Sequence, residues 1–150
     1  MREKPIKIGL TLLLLIGVGG CDRSVDKELV TAANTGDTDT IKALLQRGAN
    51  PNSLALDGWT PLTVAAREGH LDAVSLLLRS GARVDELEGG GNTALFWAAF
   101  YDHRDVVKLL LSNGAAVNKK KGGGETPLHV ALRLNHAEAA DLLRQSGGKE

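Results

Sequence analysis

The chain has 150 residues, with 18 basic and 18 acidic side chains and a formal net charge of zero. This length fits a single domain. A neutral chain lacks the excess of basic residues typical of nucleic-acid-binding proteins, so we expect no nucleic-acid partner. Aromatic residues make up only 3% of the chain, against 43% for all hydrophobic residues, which favours a core of alanine and leucine.

The first twenty residues have the pattern of a secretory signal peptide. Three basic residues, Arg2, Lys4 and Lys7, precede an apolar run over residues 8–18, and small residues follow. The apolar run is too short to cross a bilayer as a helix. We therefore predict a signal peptide over residues 1–20 and exclude it from the fold.

The only cysteine follows this segment. Val18-Gly19-Gly20-Cys21 resembles the bacterial lipobox, in which the cysteine is acylated and becomes the first mature residue. The resemblance implies a lipid anchor on Cys21, a tether over residues 21–25 and a protein that faces the periplasm. In the lipoprotein family, an aspartate after the cysteine is linked to retention in the inner membrane, and Asp22 has that position. A plain secretory signal with an incidental cysteine is the alternative.

The remainder of the chain repeats with a period of 33 residues. Three threonines keep this spacing, each two residues before a leucine: Thr60, Thr93 and Thr126. Glycines at 48, 81, 114 and 147 and alanines at 32, 65, 98 and 131 keep the same step. A fixed period of this size predicts stacked supersecondary units. We divide residues 26–150 into repeats at about 26–52, 53–85, 86–118 and 119–150.

Each repeat is predicted to contain two short helices. In the second repeat, Thr60 is a typical N-cap, Pro61 a typical first helical residue and Gly69 a typical helix end. The second helix has a predicted buried stripe of Val74, Leu77 and Leu78. A left-handed backbone at the end of the first helix explains the residue types at four equivalent positions: Gly36, Gly69, Asp102 and Asn135.

Thr126-Pro127-Leu128-His129-Val130-Ala131 matches the T-P-L-H-x-A signature of the ankyrin repeat at every position. Residues 60–65 depart from it at the histidine, and residues 93–98 at the proline and the histidine. Residues 26–147 thus resemble an ankyrin-repeat protein. The resemblance implies an all-α solenoid of about four helix-turn-helix repeats with β-hairpin-like finger loops. It also implies non-catalytic protein binding.

Two patterns that invite a chemical function have a simpler structural explanation. His70, His103 and His136 recur at the repeat spacing, so they lie along the solenoid instead of converging on a metal. The resemblance implies a structural role for them and for His129. The glycine runs 89–91 and 122–124 lack the Lys-Ser or Lys-Thr of a phosphate-binding loop and are predicted to be hairpin tips. We predict no catalytic residue, metal site or cofactor.

Two further predictions concern the charged finger tips and the C-terminus. The run 119–121 is basic, and the preceding finger carries Asp85, Glu86 and Glu88. A weak attraction between exposed finger tips and a docking role for the lysines are both open. We expect residues 147–150 to fray at the C-terminus.

The resemblance implies a concave groove lined by the residue before each threonine and the two residues after each alanine pair. On this chain those positions carry over to Trp59, Arg67, Glu68, Asn92, Phe100, Tyr101, Glu125, Arg133 and Leu134. We place the centre of a protein-binding surface at Trp59, Phe100 and Tyr101, since aromatic residues dominate interface energetics. Leu54, Leu56 and Leu87 would extend it, whereas Phe96 and Trp97 should point into or between repeats. The alternative is that Trp59 and Phe100 only cover the seams between repeats.

The expected function is therefore protein binding at the bacterial cell envelope, by a monomer with an unidentified partner. Two uses are open: inhibition of a periplasmic toxin, as an immunity protein, and stabilisation or scaffolding of a periplasmic enzyme. A structural envelope component would instead associate with itself. An enzyme or metal protein would require a bound metal or a convergent polar pocket, which no motif in the sequence indicates.

Overall fold

The computed structural model describes residues 23–55, 57–120 and 124–150. Within these ranges the chain forms eight α-helices and no strand. The helices are α1 (Arg23–Thr35), α2 (Thr38–Gln46), α3 (Pro61–Glu68), α4 (Leu71–Arg79), α5 (Ala94–Phe100), α6 (Arg104–Ser112), α7 (Pro127–Arg133) and α8 (Ala137–Gln145). The predicted all-α solenoid is confirmed.

The helices stack in two parallel rows. The first helices of the repeats pack in the order α1, α3, α5 and α7, and the second helices in the order α2, α4, α6 and α8. One hydrophobic core runs through all four repeats, from Val25 to Leu143. A leucine from each repeat is almost fully buried in it: Leu29, Leu62, Leu95 and Leu128. Each such burial contributes roughly 1.5–3 kcal/mol to stability.

Three finger loops connect the helix pairs: the first finger loop (residues 47–60), the second (80–93) and the third (113–126). A backbone hydrogen bond closes the first as a hairpin, with Ala55 N–H donating to the Trp59 carbonyl at 2.9 Å. The second closes in the same way, from Glu88 N–H to the Asn92 carbonyl at 3.0 Å. Gly89 N–H then donates to the Gly58 carbonyl at 3.0 Å, which joins the two loops.

Threonine caps and left-handed residues set the helix boundaries as predicted. The hydroxyls of Thr60, Thr93 and Thr126 accept from backbone N–H groups three residues later, at 3.1, 3.2 and 3.1 Å. Such a cap stabilises a helix by about 1 kcal/mol. The four predicted left-handed positions have positive φ: Gly36 at 72°, Gly69 at 77°, Asp102 at 57° and Asn135 at 60°.

Histidines tie neighbouring repeats together, which confirms their predicted structural role. A ring N–H of each donates to a carbonyl of the preceding repeat: His70 to Asn34 at 3.0 Å, His103 to Arg67 at 2.8 Å, and His136 to Ala99 at 3.0 Å. The His103 ring lies 2.6 Å from where a Cβ on Gly69 would stand. Glycine is thus required there by packing as well as by φ. His129 differs, because it is exposed and its ring contacts Glu125 at 3.5 Å.

A second set of cross-repeat bonds shows that the prediction of a frayed C-terminus is wrong for residues 147–149. Asn118 Oδ1 accepts from Lys149 N–H at 2.7 Å, and its amide donates to the Gly147 carbonyl at 3.0 Å. Thr126 Oγ1 also donates to the Lys149 carbonyl at 2.7 Å. Asn52 accepts from Arg83 N–H in the same way at 2.7 Å, two repeats earlier in the stack.

Two smaller predictions are corrected. Residues 23–25 are the start of α1 and not a tether, because Val25 is buried in the core at 8% exposure. Leu78 is only half-buried, and the buried stripe of α4 is Ala73, Val74 and Leu77.

The predicted signal peptide, Cys21, Asp22, Leu56 and residues 121–123 lie outside the described residues. Among the helices that are described, none has the length and hydropathy needed to cross a membrane.

Candidate protein-interaction surface

All five aromatic residues of the chain lie together. We call Trp59, Phe96, Trp97, Phe100 and Tyr101 the aromatic cluster. Trp97 is its centre, with ring centroids 5.2 Å from Trp59, 5.4 Å from Phe96, 5.6 Å from Phe100 and 6.2 Å from Tyr101. These distances fall in the range in which aromatic pairs attract. The cluster is therefore one packed unit that spans the second and third repeats.

The five side chains of the cluster differ in their exposure to solvent. Phe96 is buried at 7% exposure, Trp59, Trp97 and Phe100 are half-buried, and Tyr101 is 49% exposed. The prediction that Trp97 points into or between repeats is confirmed by its contact with Trp59 of the preceding repeat, and Trp97 also connects Trp59 to Phe100 and Tyr101. Its indole Nε1 is buried and has no hydrogen-bond partner within the described ranges. The contact of Trp59 with Trp97 does cover the α3–α5 seam, yet half of Tyr101 remains accessible.

Arg67 and Glu68, at the end of α3, lie beside the cluster as the sequence predicts. The Arg67 guanidinium is 4.8 Å from the centroid of the Trp59 ring, a cation–π contact. Its Nε and Nη2 both lie 2.7 Å from Glu68 Oε1. A cation–π contact at an exposed site contributes about 0.5–1 kcal/mol. The Trp59 ring and the Glu68 carboxylate together hold the Arg67 guanidinium in place.

A pocket of about 240 Å³ opens between α1 and α3 next to Trp59. Val30, Ala55 and Val64 supply apolar walls, while Asp57 and Arg67 lie at its edge. Sequence reasoning missed this pocket, because α1 and the first finger loop meet there only after the repeats have stacked.

Asn92 is committed to its own loop. Its side-chain amide donates to Glu88 Oε1 at 2.9 Å, and its backbone N–H donates to the same oxygen at 3.0 Å. Glu88 Oε2 accepts from Gly90 N–H at 2.6 Å, and Glu88 is only 6% exposed. The predicted partner contact at Asn92 thus falls on an amide already bonded, and Glu88 is not a surface charge. The second finger loop instead uses Glu88 to hold its glycine tip.

The predicted residues of the last repeat form a separate group on α7. Arg133 binds Glu125 with two hydrogen bonds, Nε to Oε1 at 2.9 Å and Nη2 to Oε2 at 2.8 Å. The Arg133 hydrogen bonds hold the pKa of Glu125 below its ordinary value, and Glu125 raises the pKa of Arg133. Leu134 is half-buried at the end of α7. The charges of this group largely neutralise each other.

The predicted weak attraction between the acidic second finger loop and the basic third one takes no form of an ion pair at the lysines that the structure describes. Glu86 lies 3.4 Å from Arg83 of its own loop, and Asp85 accepts from Ala116 N–H at 2.9 Å. Lys119 and Lys120 are exposed and form no ion pair within residues 23–55, 57–120 and 124–150. Leu54, predicted to extend the surface, is 61% exposed, and Leu87 is half-buried.

A charged cleft of about 450 Å³ lies beside α6, and its lining includes His103, whose ring stacks on Tyr101 at 6.2 Å. Arg104 donates to Glu138 there, and that bond, with Asp102 and Asp105 nearby, raises the pKa of Arg104. Within the described parts of the chain, no group of three or more histidine, cysteine or acidic residues is placed to hold a metal.

The family model for ankyrin repeats, in three copies, matches residues 29–121 and again residues 91–150. None of the curated proteins compared with the chain gives a significant match. Ankyrin repeats indicate a protein–protein interaction module, and the family is typically non-catalytic. Together the two matches cover residues 29–150, which include three finger loops and all eight described helices except the start of α1. The chain therefore belongs to the ankyrin-repeat family.

Proposed function

We propose that the chain is a non-catalytic protein-binding module of the bacterial cell envelope, and that its partner binds on the aromatic cluster together with Arg67 and Glu68. The observation that carries this proposal is the gathering of every aromatic residue into one cluster with Tyr101 half exposed. Tryptophan, tyrosine and arginine are the residue types that contribute most to binding energy at interfaces.

The rigidity of the support favours binding on this surface. Trp59 is held by the first finger loop and by Arg67, and Trp97 and Phe100 belong to α5. Few side chains have to be ordered when the partner arrives, so little of the interaction energy is lost to conformational entropy. Arg133 and Leu134 on α7 would contact the same partner at its far end. Asn92 would act through the loop that it holds.

Affinity capture from the native host tests this proposal. The bait is residues 21–150 with Cys21→Ser, beside the same chain with Trp59→Ala and Tyr101→Ala. Leu71→Ala is the matched control, because Leu71 is an exposed apolar residue (39%) on α4, away from the cluster. A protein held by the first bait and by the control, but lost from the folded double variant, supports the surface. Equal capture by all three baits would contradict it.

We further propose that Cys21 carries a lipid anchor and that the repeats face the periplasm, with Asp22 favouring the inner membrane. The proposal is supported by the basic start, the apolar run and the Val18-Gly19-Gly20-Cys21 motif. Each acyl methylene buried in a bilayer contributes about 0.8 kcal/mol, so two or three chains anchor a protein of this size stably.

Membrane fractionation tests the anchor. We expect the native chain in the membrane fraction and Cys21→Ala in the soluble fraction, with incorporation of labelled palmitate only in the native chain. Asp22→Ser should move the protein between membranes without releasing it. Retention of Cys21→Ala in the membrane would contradict the lipid anchor. The captured partner would decide between inhibition and stabilisation of a periplasmic protein.

A further inference from the structure

The surface around the aromatic cluster and the neighbouring finger loops has hydrogen-bond acceptors that are already occupied. The Glu68 carboxylate is paired with Arg67, and the Glu88 carboxylate binds three N–H groups of its own loop. Both oxygens of Glu125 accept from Arg133. The carboxylates of Glu68, Glu88 and Glu125 are therefore paired within the chain, although the sequence alone suggests free surface charges.

Several donors of the third finger loop and the cluster have no acceptor among the residues that the structure describes. Lys119 and Lys120 on the third finger loop are exposed, and no carboxylate of the described residues pairs with them. Asp85 and Glu86 of the adjacent loop are engaged elsewhere. The indole Nε1 of Trp97 also lacks a partner among the described residues. The two exposed lysines can therefore pair with carboxylates of a partner, whereas the buried indole N–H is out of a partner's reach.

We propose that the partner segment is acidic, with carboxylates that pair with Lys119 and Lys120 and a large apolar side chain that packs on the aromatic cluster. This inference rests on the proposed function and adds the chemical class of the partner. Charge complementarity of this kind sets specificity and association rate more than affinity.

The pocket beside Trp59 fits the apolar part of such a segment. Its volume is about 240 Å³, and a cavity of about 150 Å³ already admits benzene. Val30, Ala55 and Val64 offer apolar walls to a leucine or aromatic side chain. Asp57, which also lines the pocket, has no hydrogen bond or ion pair with a described group, and it repels acidic residues at this end.

Asp57 and the two lysines together give the segment a direction. The first and third finger loops lie two repeats apart in the stack, because α3, α5 and α7 pack in order. The apolar side chain should therefore lie toward the first finger loop and the carboxylates toward the third. A segment with the opposite order would place acidic residues against Asp57 and leave the lysines unpaired.

Selection from a random 12-residue peptide library displayed on phage tests this proposal without knowledge of the natural partner. The full chain, produced without lipidation, is biotinylated at its single cysteine, Cys21, and immobilised. Four versions are compared: native, Lys119→Ser/Lys120→Ser, Lys42→Ser/Lys108→Ser, and Trp59→Ala/Tyr101→Ala. The second lysine pair is the matched control, because Lys42 and Lys108 are exposed on α2 and α6. Circular dichroism first establishes that each version is folded.

We expect peptides selected on the native chain to combine a large apolar residue with aspartate or glutamate in a constant order. The best peptide should bind Lys119→Ser/Lys120→Ser roughly two- to thirty-fold more weakly, as two exposed ion pairs would contribute. Added salt should reduce its affinity for the native chain and for the control, but much less for the Lys119→Ser/Lys120→Ser version.

The outcomes separate the two proposals. Peptides without acidic residues, or equal affinity for the two lysine variants, would overturn the acidic partner and leave the aromatic surface intact. Absence of any selected peptide whose binding depends on Trp59 and Tyr101 would overturn the proposed surface and this inference with it.

Discussion

The middle repeats and the last repeat fill equivalent positions with side chains that leave very different surfaces. In the middle repeats, Trp59 and Tyr101 belong to a cluster in which Trp59 is half-buried and Tyr101 is 49% exposed. In the last repeat, Glu125 and Arg133 bind each other with two hydrogen bonds. The availability of a side chain to a partner therefore depends on its neighbours in the structure and not on its position within the repeat.

Among changes to these two regions, we expect the largest effect from Trp97→Ala, which removes the ring that contacts the four others of the aromatic cluster. We expect a loss of roughly 2–4 kcal/mol in the free energy of unfolding, at the lower part of the range for Trp→Ala because Trp97 is half-buried. Urea unfolding followed by circular dichroism measures the loss. Trp97→Phe, the control, keeps a ring and removes the unpartnered N–H, so it should cost much less. Equal stability of native chain and Trp97→Ala would show that the cluster is not a stabilising unit.

An intermediate effect is expected for Glu88→Ala. The substitution leaves the N–H groups of Gly90 and Asn92 without their acceptor, which costs about 1–3 kcal/mol. Hydrogen exchange of these two amides should become faster, and the side chain of Asn92 should become free. Glu86→Ala is the matched control from the same loop, and it should cost less than about 1 kcal/mol. Unchanged protection of Gly90 in Glu88→Ala would contradict the arrangement of the loop.

The smallest effect is expected at the last repeat, for Arg133→Ala. At neutral pH the stability should hardly change, because the pair with Glu125 is on the surface. Arg133 holds the pKa of Glu125 below its ordinary value of 4.5. The pair therefore stabilises the fold above that value, and the contribution is lost as the pH falls through the lowered pKa.

An NMR titration of the Glu125 side chain measures this effect. In Arg133→Ala the pKa should rise toward 4.5, whereas in Arg144→Ala, which removes an arginine from α8, it should stay low. An unchanged Glu125 pKa in Arg133→Ala would show that the two hydrogen bonds are absent in solution.

Residues with a local role were predictable one repeat at a time. Thr60 caps a helix whatever lies beyond it, and Asp102 and Asn135 take the left-handed backbone that two glycines take elsewhere. The histidines that precede α4, α6 and α8 were also predictable from the family resemblance. The candidate surface was predictable only in part: Trp59, Arg67, Glu68, Phe100 and Tyr101 lie together, whereas Arg133 and Leu134 lie apart on α7 and Asn92 is bound within its loop.

The sequence by itself determined the number of repeats, the starts of α3, α5 and α7 and most of the buried leucine and alanine positions, because these follow from short-range backbone preferences and a period of 33. Only the tertiary structure decided that Trp97 is the centre of the aromatic cluster, that Glu88 is buried and that Asn118 holds the C-terminus. Trp97 and Asn118 act through residues about 30 or more positions away, and Glu88 lies in a loop that packs on its neighbour. Local sequence patterns do not indicate which residue of another repeat a side chain contacts, because that contact forms only when the repeats stack.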